Sequence, residues 1–311
     1  MKRQRTTWIP VLAIACLLAA GCSQEEGSGA GSLRVPLVVT SAGMQSEVNV
    51  TRSSYSPLAR GSIGVFMDNG AGVTTYTPIK NSRYDYEGST SSWTLAAGST
   101  PVYLMEGDAA VCACYPYDAA MTDNRAVPLA VHPLADGEVP LAYSVNVPAN
   151  ATDKQKVSFS LNQAYAWLEI RFTRSSSMKD NITLSEYSVS GYQLAGQATL
   201  DITTGTQTNT MLTDDPVRFT EDIPLAKGAT VTRNLLMVPT DLDYGLRMGV
   251  KISDKPMSVL IETLPKLLQS GYKYTVTVTV NGSNLGVSSV EVLPWTPITV
   301  NNSGNLFIPL P

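Results

Sequence analysis

Apolar and polar residues alternate strictly along much of this chain. In the clearest segment every second residue is apolar between Tyr272 and Val280, and the residues between them are Lys or Thr. The same pattern recurs at Leu33/Val35/Leu37/Val39, Ile63/Val65/Met67, Val157/Phe159/Leu161 and Ala166/Leu168/Ile170/Phe172. A period of two residues is typical of a strand with one buried face and one wet face. These segments are therefore predicted to form strands of mostly antiparallel sheets.

Turn sequences separate the predicted strands at short intervals. Asn281-Gly282 directly follows the strongest strand and is typical of a two-residue hairpin turn. Because many short strands with regular turns are typical of sandwiches and barrels, we expect an all-β chain. A polar serine run at residues 175–177 is interpreted as the boundary between two domains, residues 33–174 and residues 175–311.

The first 22 residues have the pattern of a secretory signal. Three basic residues precede an apolar run from Trp8 to Ala20, and Gly21 and Cys22 follow at once. The run is shorter than the ~20 residues of a membrane-spanning helix. The segment resembles a bacterial lipoprotein signal, in which the cysteine carries acyl chains such as palmitate and becomes the mature N-terminus. Ala19 stands where such signals usually have Leu, and an ordinary secretory signal with an incidental Cys22 is the alternative.

A polar tether follows the predicted lipid site. Residues 22–32 are rich in Gly and Ser, a composition that makes a linker flexible. Glu25 and Glu26 resemble the export tag of surface lipoproteins in the Bacteroidetes, although a solvated linker explains them equally well. We therefore divide the N-terminus into a signal peptide, residues 1–21, and a flexible tether, residues 22–32.

The composition argues against nucleic-acid binding and offers little catalytic chemistry. The 311 residues have a formal net charge of −4 and no basic block, whereas nucleic-acid binding needs clustered Lys and Arg. His132, the single histidine, is expected in a loop or at a sheet edge, and no Gly-x-Ser-x-Gly elbow accompanies it. The acidic pairs expected in solvated loops are Asp214-Asp215, Glu221-Asp222 and Asp241-x-Asp243. We therefore predict no enzyme and no cofactor or metal.

Two cysteines lie within the predicted domains. Cys112 and Cys114 flank Ala113 in a segment that reads as a strand, so they share one face. A disulfide between them would be strained, because their Cα atoms would lie near the upper limit of ~6.8 Å. Two thiolates without further ligands also make a weak metal site. We therefore expect two buried free thiols.

Several segments, in order along the chain, resemble the fimbrillin family of Bacteroides and Porphyromonas relatives. In the first half these segments are residues 62–66, Asn81, Tyr84, Trp93, the Tyr-Pro-Tyr corner at Tyr115-Pro116-Tyr117, and residues 159–166. In the second half they are residues 235–239, 268–280 and 287–295. Gln163 departs from the family, which commonly has His at this position. The resemblance covers most of the mature chain.

The resemblance implies two tandem, transthyretin-like β-sandwich domains in a lipidated precursor that assembles into a surface fimbria as a stalk, anchor or tip subunit. It also implies proteolysis after an arginine near the first strand. Asn49-Val50-Thr51-Arg52-Ser53 is similar to that site, and Arg34 and Arg60 are the fallback positions. A solvated loop arginine is the alternative interpretation of Arg52.

Cleavage after Arg52 would have a physical consequence. It would release the predicted strand that contains Leu37 and Val39, and would leave an unpaired sheet edge beside an apolar groove. Such an edge binds another extended segment by strand addition. The expected donor is the C-terminal tail of the next subunit, with Ile298/Val300 on one face and Leu306/Ile308/Leu310 on another. The alternative is a tail that packs on its own second domain.

The predicted function is therefore a structural and adhesive subunit of a fimbria at the outer membrane. Its expected partners are other fimbrial subunits, the membrane through the lipid, and a ligand on host or bacterial surfaces. The alternative is a monomeric surface lipoprotein that binds glycans, which needs exposed aromatic residues on one face. Trp93 and Trp295 are expected to be structural, whereas Trp167 is expected to be half-exposed or to lie at the domain interface.

Overall fold

Strands account for all the regular secondary structure of the described chain. The computed structural model describes residues 33–49 and 52–295, and these contain no helix. Most neighbouring strands are antiparallel, so the predicted all-β, mostly antiparallel class is confirmed.

The strands fall into two halves of the sequence. The N-terminal half, residues 33–163, contains β1 (Val35–Pro36), β2 (Val38–Asn49), β3 (Arg52–Pro57), β4 (Ser62–Asn69), β5 (Ile79–Glu87), β6 (Ser92–Leu95), β7 (Tyr103–Leu104), β8 (Ala109–Tyr115), β9 (Val127–Ala130), β10 (His132–Pro133), β11 (Ala142–Ala149) and β12 (Lys156–Gln163). The C-terminal half, residues 166–295, contains β13 (Ala166–Arg174), β14 (Ile182–Ser190), β15 (Leu194–Asp201), β16 (Thr206–Thr213), β17 (Val217–Leu225), β18 (Thr230–Met237), β19 (Thr240–Asp241), β20 (Leu246–Ile252), β21 (Lys255–Ile261), β22 (Leu267–Leu268), β23 (Tyr272–Asn281) and β24 (Asn284–Pro294).

One large sheet organises the N-terminal half, in the order β3-β2-β12-β11-β8-β4-β5-β6. The C-terminal half is built on a five-stranded sheet, β10-β18-β13-β23-β24, a four-stranded sheet, β17-β14-β20-β21, and a three-stranded sheet, β16-β15-β9. Two short pairs, β1-β7 and β19-β22, complete the described strands. Within this part of the chain, β2 with β12 and β13 with β23 are the parallel pairs.

The alternating residues of the N-terminal half fill one core, as predicted. Ile63 and Val65 on β4 and Phe159 and Leu161 on β12 are fully buried in it. Trp93 lies in the same core, where its ring makes an edge contact with Tyr86 at 5.4 Å between centroids. This position confirms the structural role expected of Trp93.

A second core lies in the C-terminal half, between the five-stranded and four-stranded sheets. In the parallel pair of β13 and β23, Leu168 is opposite Tyr274 and Ile170 is opposite Val276, and all four side chains are buried. The hairpin from β23 to β24 has a two-residue turn, as predicted, but the turn residues are Gly282 and Ser283, because Asn281 still pairs with Asn284.

A third cluster, which we call the junction core, joins the two halves. Its buried residues are Phe66, Cys112, Cys114, Val127, Leu129 and Tyr143 from the N-terminal half, and Ala164, Tyr165, Trp167, Ala195, Ala198, Leu200, Ile202, Leu236, Val238 and Trp295 from the remaining chain. Strand β8 contributes to two cores, because Val111 and Ala113 face the N-terminal core while Cys112 and Cys114 face the junction core. A strand buried on both faces reads as a continuous apolar run, as β8 does.

Strand pairing also crosses between the halves. β9 pairs with β15, and β10 pairs with β18, so residues 127–133 belong to sheets of the C-terminal half. Pairing along the chain changes between Gln163 and Ala166, because β12 joins the large N-terminal sheet and β13 joins the five-stranded sheet. The domain division at residues 174 and 175 stays a prediction.

The polar face of β13 differs from the expectation. The two-residue period of β13 predicts a wet position for Glu169, but Glu169 and Trp167 are both buried, because the junction core covers this end of the strand. The Trp167 ring packs against Trp295 at 5.2 Å, and Lys273 Nζ lies 4.4 Å from its centre. The same Nζ pairs with Glu169 Oε2 at 2.5 Å. Trp167 was expected to be half-exposed or to lie at the domain interface; it lies in the junction core, between the two halves of the described chain.

Truncation of a buried ring on β12 is expected to destabilise the N-terminal core. Phe159→Ala removes a fully buried side chain, so the free energy of unfolding should fall by about 3–5 kcal/mol. Ser160→Ala, on the exposed face of the same strand, should change it by less than about 0.5 kcal/mol. Urea unfolding monitored by tryptophan fluorescence measures both, and equal losses in the two variants would contradict this assignment of faces.

Candidate strand-exchange site

Strand β2 occupies an interior position in the large sheet. It lies between β3, its antiparallel partner, and β12, with which it pairs in parallel from Val38 to Met44. Leu37, just before the strand, and Val39, Ala42 and Met44 within it are buried in the N-terminal core. The strand therefore contributes both a hydrogen-bonded ladder and part of the apolar core.

At Thr40 the core-facing side chains of β2 switch from odd-numbered to even-numbered residues. Leu37 and Val39 face the core at odd positions, whereas Ala42 and Met44 face it at even positions. The register against β12 shifts at this point, because Val39 is opposite Val157 and Ser41 is opposite Ser158. Such a shift is a β-bulge, which inserts one extra residue in one strand. Thr40 Oγ1 donates a hydrogen bond to Val157 O at 2.8 Å and holds the bulge against β12.

The predicted first strand is therefore correct in part. Leu37 and Val39 are buried as predicted, but Leu33 lies outside any strand and is 49% exposed. Val35 is half-buried and pairs with Leu104 in the short β1-β7 ladder instead of the main sheet. The alternation of apolar and polar residues does not reveal the bulge. The burial of Ala42 and Met44 therefore could not be predicted from the sequence.

Strand β3 closes against β2 through a close backbone contact. A Cβ added to Gly43 would lie 2.4 Å from Tyr55 Cζ and 2.8 Å from the carbonyl oxygen of Ser56. Because the Ser56 oxygen belongs to the backbone, only glycine fits at this position of β2. Among the described strands, β3 pairs with β2 alone, so it depends on β2 for its place in the sheet.

Arg52 lies at the turn that connects β2 to β3. It is the first residue of β3 and is opposite Asn49, the last residue of β2. A backbone cut after Arg52 would thus separate β2 from β3 at the end of their hairpin. Hairpin tips are favoured sites of proteolysis, because their backbone makes few interactions.

The two fallback arginines have different relations to β2. Arg34 precedes the strand, is exposed, and lies 5.1 Å from the centre of the Tyr103 ring. Arg60 is also exposed, in the connection between β3 and β4. A cut after Arg34 would leave β2 attached to the body, and a cut after Arg60 would detach β3 together with β2.

Trp295, the residue just before the predicted donor tail, is held in the junction core. Trp295 is buried against Trp167, which confirms its expected structural role, and its backbone N–H donates to Gly271 O at 2.6 Å. The tail from residue 296 onward and the predicted lipid site at Cys22 lie outside the described residues. Both stay predictions.

The two cysteine thiols have no access to water. Both side chains are at most 1% exposed, which confirms the expected buried free thiols. Burial raises the pKa of the Cys112 thiol to about 11 and that of the Cys114 thiol to about 12. Asn124 Nδ2 lies 3.4 Å from Cys112 Sγ and partly opposes this shift. Thiols in this state are poor nucleophiles and poor metal ligands.

The remaining ionisable candidates are dispersed. His132 lies on the edge strand β10, as expected, with Nε2 at 2.9 Å from Glu138 Oε1 and Nδ1 at 2.8 Å from Ala130 O. Glu221 and Asp222 lie on β17 and Asp241 lies on β19, so the loop positions expected for them are wrong, although all three are exposed. Asp243 is also exposed, and Glu221 pairs with Arg233. Within the described residues, no three His, Cys, Asp or Glu side chains converge on a metal position. In the same part of the chain no helix has the length and apolar character to span a membrane.

The fold is shared with solved structures of Bacteroides proteins. A Bacteroides uniformis protein assigned to cell adhesion is 22% identical, with a TM-score of 0.54 over 85% of this chain and 99% of its own. A Bacteroides ovatus protein with the same assignment is 14% identical, with a TM-score of 0.58 over 86% of this chain and 100% of its own. At these identities the likeness shows the fold alone.

The family itself is shown by the sequence match. The model of fimbrillin-like proteins matches residues 51–295, which is most of the chain. The chain therefore belongs to the fimbrillin-like family, a family of fimbrial proteins. No curated protein matches it. The family match begins at residue 51, after the end of β2, so β2 lies outside the matched residues.

The raised thiol pKa values predict slow labelling of the native protein. Because both thiols are buried and stay protonated below about pH 11, iodoacetamide at pH 8 should leave Cys112 and Cys114 unmodified in the folded chain. In guanidinium chloride, where a thiol has its ordinary pKa of about 8.5, both should be alkylated. Peptide mass spectrometry measures the extent, and alkylation of either residue within minutes in the native protein would contradict the burial of the β8 face that lies in the junction core.

Proposed function

We propose that the chain is a structural and adhesive subunit of a surface fimbria, which polymerises when β2 is removed and replaced. The observation that carries this proposal is the placement of β2: it is interior to the sheet and buries core side chains, yet it ends at a hairpin turn with Arg52. One backbone cut there leaves β2 held only by non-covalent contacts. Family membership supports the fimbrial role.

Export comes first in this proposal. Acylation of Cys22 would tether the chain to the outer membrane at the cell surface, and each buried CH₂ group would contribute ~0.8 kcal/mol. Residues 23–32 would keep the folded part clear of the membrane during assembly. The lipid is then lost from the mature subunit, because residues 22–52 leave together after the cut.

Loss of β2 would create the acceptor groove. The edge of β12 from Lys156 to Leu161 would lose its partner, and the core would lose the side chains of Val39, Ala42 and Met44. An unpaired edge next to vacated apolar positions binds an extended chain strongly. Each Val, Leu or Met side chain that refills the core contributes about 1.5–3 kcal/mol.

The proposed donor is the tail of the neighbouring subunit, residues 296–311. Its apolar residues fall into two groups, Ile298/Val300 and Leu306/Ile308/Leu310, each with the two-residue spacing that a groove formerly filled by a strand requires. Trp295, the residue before the tail, is buried, so the point at which the tail begins is fixed by the junction core. One chain thus carries both an acceptor and a donor, as a shaft subunit needs.

Removal of the arginine at the hairpin is expected to prevent assembly. Arg52→Ala should leave the surface chain uncut with Cys22 at its N-terminus, and should abolish high-molecular-weight ladders on unboiled gels. Arg60→Ala, at the exposed fallback position, should leave cleavage and ladders unchanged. Mass spectrometry of the surface-extracted chain gives the N-terminus, and polymers that still begin at Cys22 would contradict the cleavage step.

Deletion of the tail tests the donor separately. Removal of residues 296–311 should abolish ladders while the midpoint of urea unfolding stays within error of the full chain, because the described cores end at Trp295. A tail that packs on its own body would instead lower the midpoint. Ladders that persist after the deletion would show that another segment is the donor.

A further inference from the structure

Two tyrosines with largely exposed rings form a pair on the C-terminal half. Tyr192 is 57% exposed and Tyr244 is 69% exposed, more than any other large apolar side chain of the described residues. Their ring centroids lie 5.0 Å apart with planes inclined at 76°, so the two rings form a corner. Both line a surface depression of ≈ 510 Å³. Neither ring belongs to a hydrophobic core of the described residues, so both faces of this corner are open to a ligand.

The turns that carry the two rings pack tightly against each other. Tyr192 follows Gly191, and Tyr244 precedes Gly245, whose φ is +76°. A Cβ added to Gly191 would lie 3.4 Å from Gly245 O, and one added to Gly245 would lie 3.1 Å from Ile261 O. The two turns therefore lie next to each other, and a side chain larger than glycine at position 245 would press on the backbone of Ile261. The glycines beside Tyr192 and Tyr244 thus allow the two turns to pack closely.

A carboxylate fixes the first of these turns. Gln193 has a φ of 51°, which is rare for a residue other than glycine. Its backbone N–H donates to Asp214 Oδ1 at 2.7 Å, and Asp214 also lines the depression. Asp214 is therefore placed by the fold beside the ring corner, although its sequence pattern indicates only a solvated acidic pair.

The lining of the depression is mixed in polarity and balanced in charge. Ser190, Asp214 and Arg247 supply hydroxyl, carboxylate and guanidinium groups, and the opposite charges of the last two cancel. Pro216 and Leu260 add apolar surface beside the two rings. With one carboxylate and one guanidinium in the lining, the depression has no excess charge that would favour an anionic ligand.

We propose that Tyr192 and Tyr244 form a binding site for a neutral glycan, with one pyranose ring stacked in the ring corner and its hydroxyls bonded by Asp214 and Arg247. A sugar ring has an apolar C–H face edged by hydroxyl groups, so it pairs with an exposed aromatic face beside polar side chains. The depression is within the size range of small-ligand sites, 300–1,000 Å³. This inference rests on the proposed adhesive function and names its ligand class and site.

The test uses the full-length chain, purified in detergent, on an array of immobilised neutral oligosaccharides of glucose, galactose, mannose and N-acetylglucosamine. Sialylated and sulfated glycans and a set of linear peptides are further arms of the same array. The wild-type chain should bind at least one neutral glycan, and the Tyr192→Ala/Tyr244→Ala variant should bind it at least about tenfold more weakly. The Tyr192→Phe/Tyr244→Phe variant keeps both rings and should stay within about threefold of the wild type.

Two controls separate this site from folding and from assembly. Tyr103→Ala removes another exposed tyrosine outside the site and should leave glycan binding unchanged. The double alanine variant should form the same ladders and unfold at the same urea concentration as the wild type. Ladder formation without any neutral-glycan binding would overturn this inference and leave the proposed fimbrial role intact. Binding confined to charged glycans or peptides, or unaltered in the double alanine variant, would overturn it as well.

Discussion

The pairing of β2 with β12 is the interaction on which the N-terminal half depends. It supplies the parallel ladder that completes the large sheet, gives β3 its place, and brings Val39, Ala42 and Met44 into the core. An interior strand is costly to remove, because its neighbours lose hydrogen bonds and apolar cover together. Yet β2 is joined to the rest of its sheet by a hairpin turn at Arg52. Many contacts therefore hold β2 in the sheet, but a single backbone cut after Arg52 would disconnect it from the rest of the chain. The proposed assembly mechanism needs both properties.

The junction core packs the N-terminal and C-terminal halves against each other. β8 is buried on both faces, and β9 and β10 of the N-terminal half pair with strands of the C-terminal half. Only Ala164 and Tyr165 separate β12 from β13, and both are buried. A hinge needs an exposed and flexible linker, which this connection does not provide. The β12 edge that faces β2 and the buried Trp295 are therefore parts of one packed body.

Much of the fold follows from the two-residue period, and the exceptions have physical causes. Strands such as β23 have one face in a core, so Tyr274, Val276 and Val278 alternate with threonines and are readily predicted. Trp167 and Glu169 are buried because another part of the chain covers their face, and local alternation carries no information about such contacts. The bulge at Thr40 switches which residues of β2 face the core. It depends on the register of β2 against β12, which local alternation also does not reveal. At the proposed glycan site, Tyr192 and Tyr244 lie 52 positions apart in the sequence, so local patterns give no sign that their rings meet.

Hydrogen exchange at β12 tests the central claim most directly. In the uncut chain, the Lys156–Leu161 amides that face β2 should be protected; in a cut subunit stripped of residues 22–52 they should exchange at least about a hundredfold faster. In assembled fibres their protection should return, because a strand from a neighbouring subunit would occupy the edge. Equal protection in the stripped subunit, or continued fast exchange in fibres, would contradict the replacement of β2 as the basis of assembly.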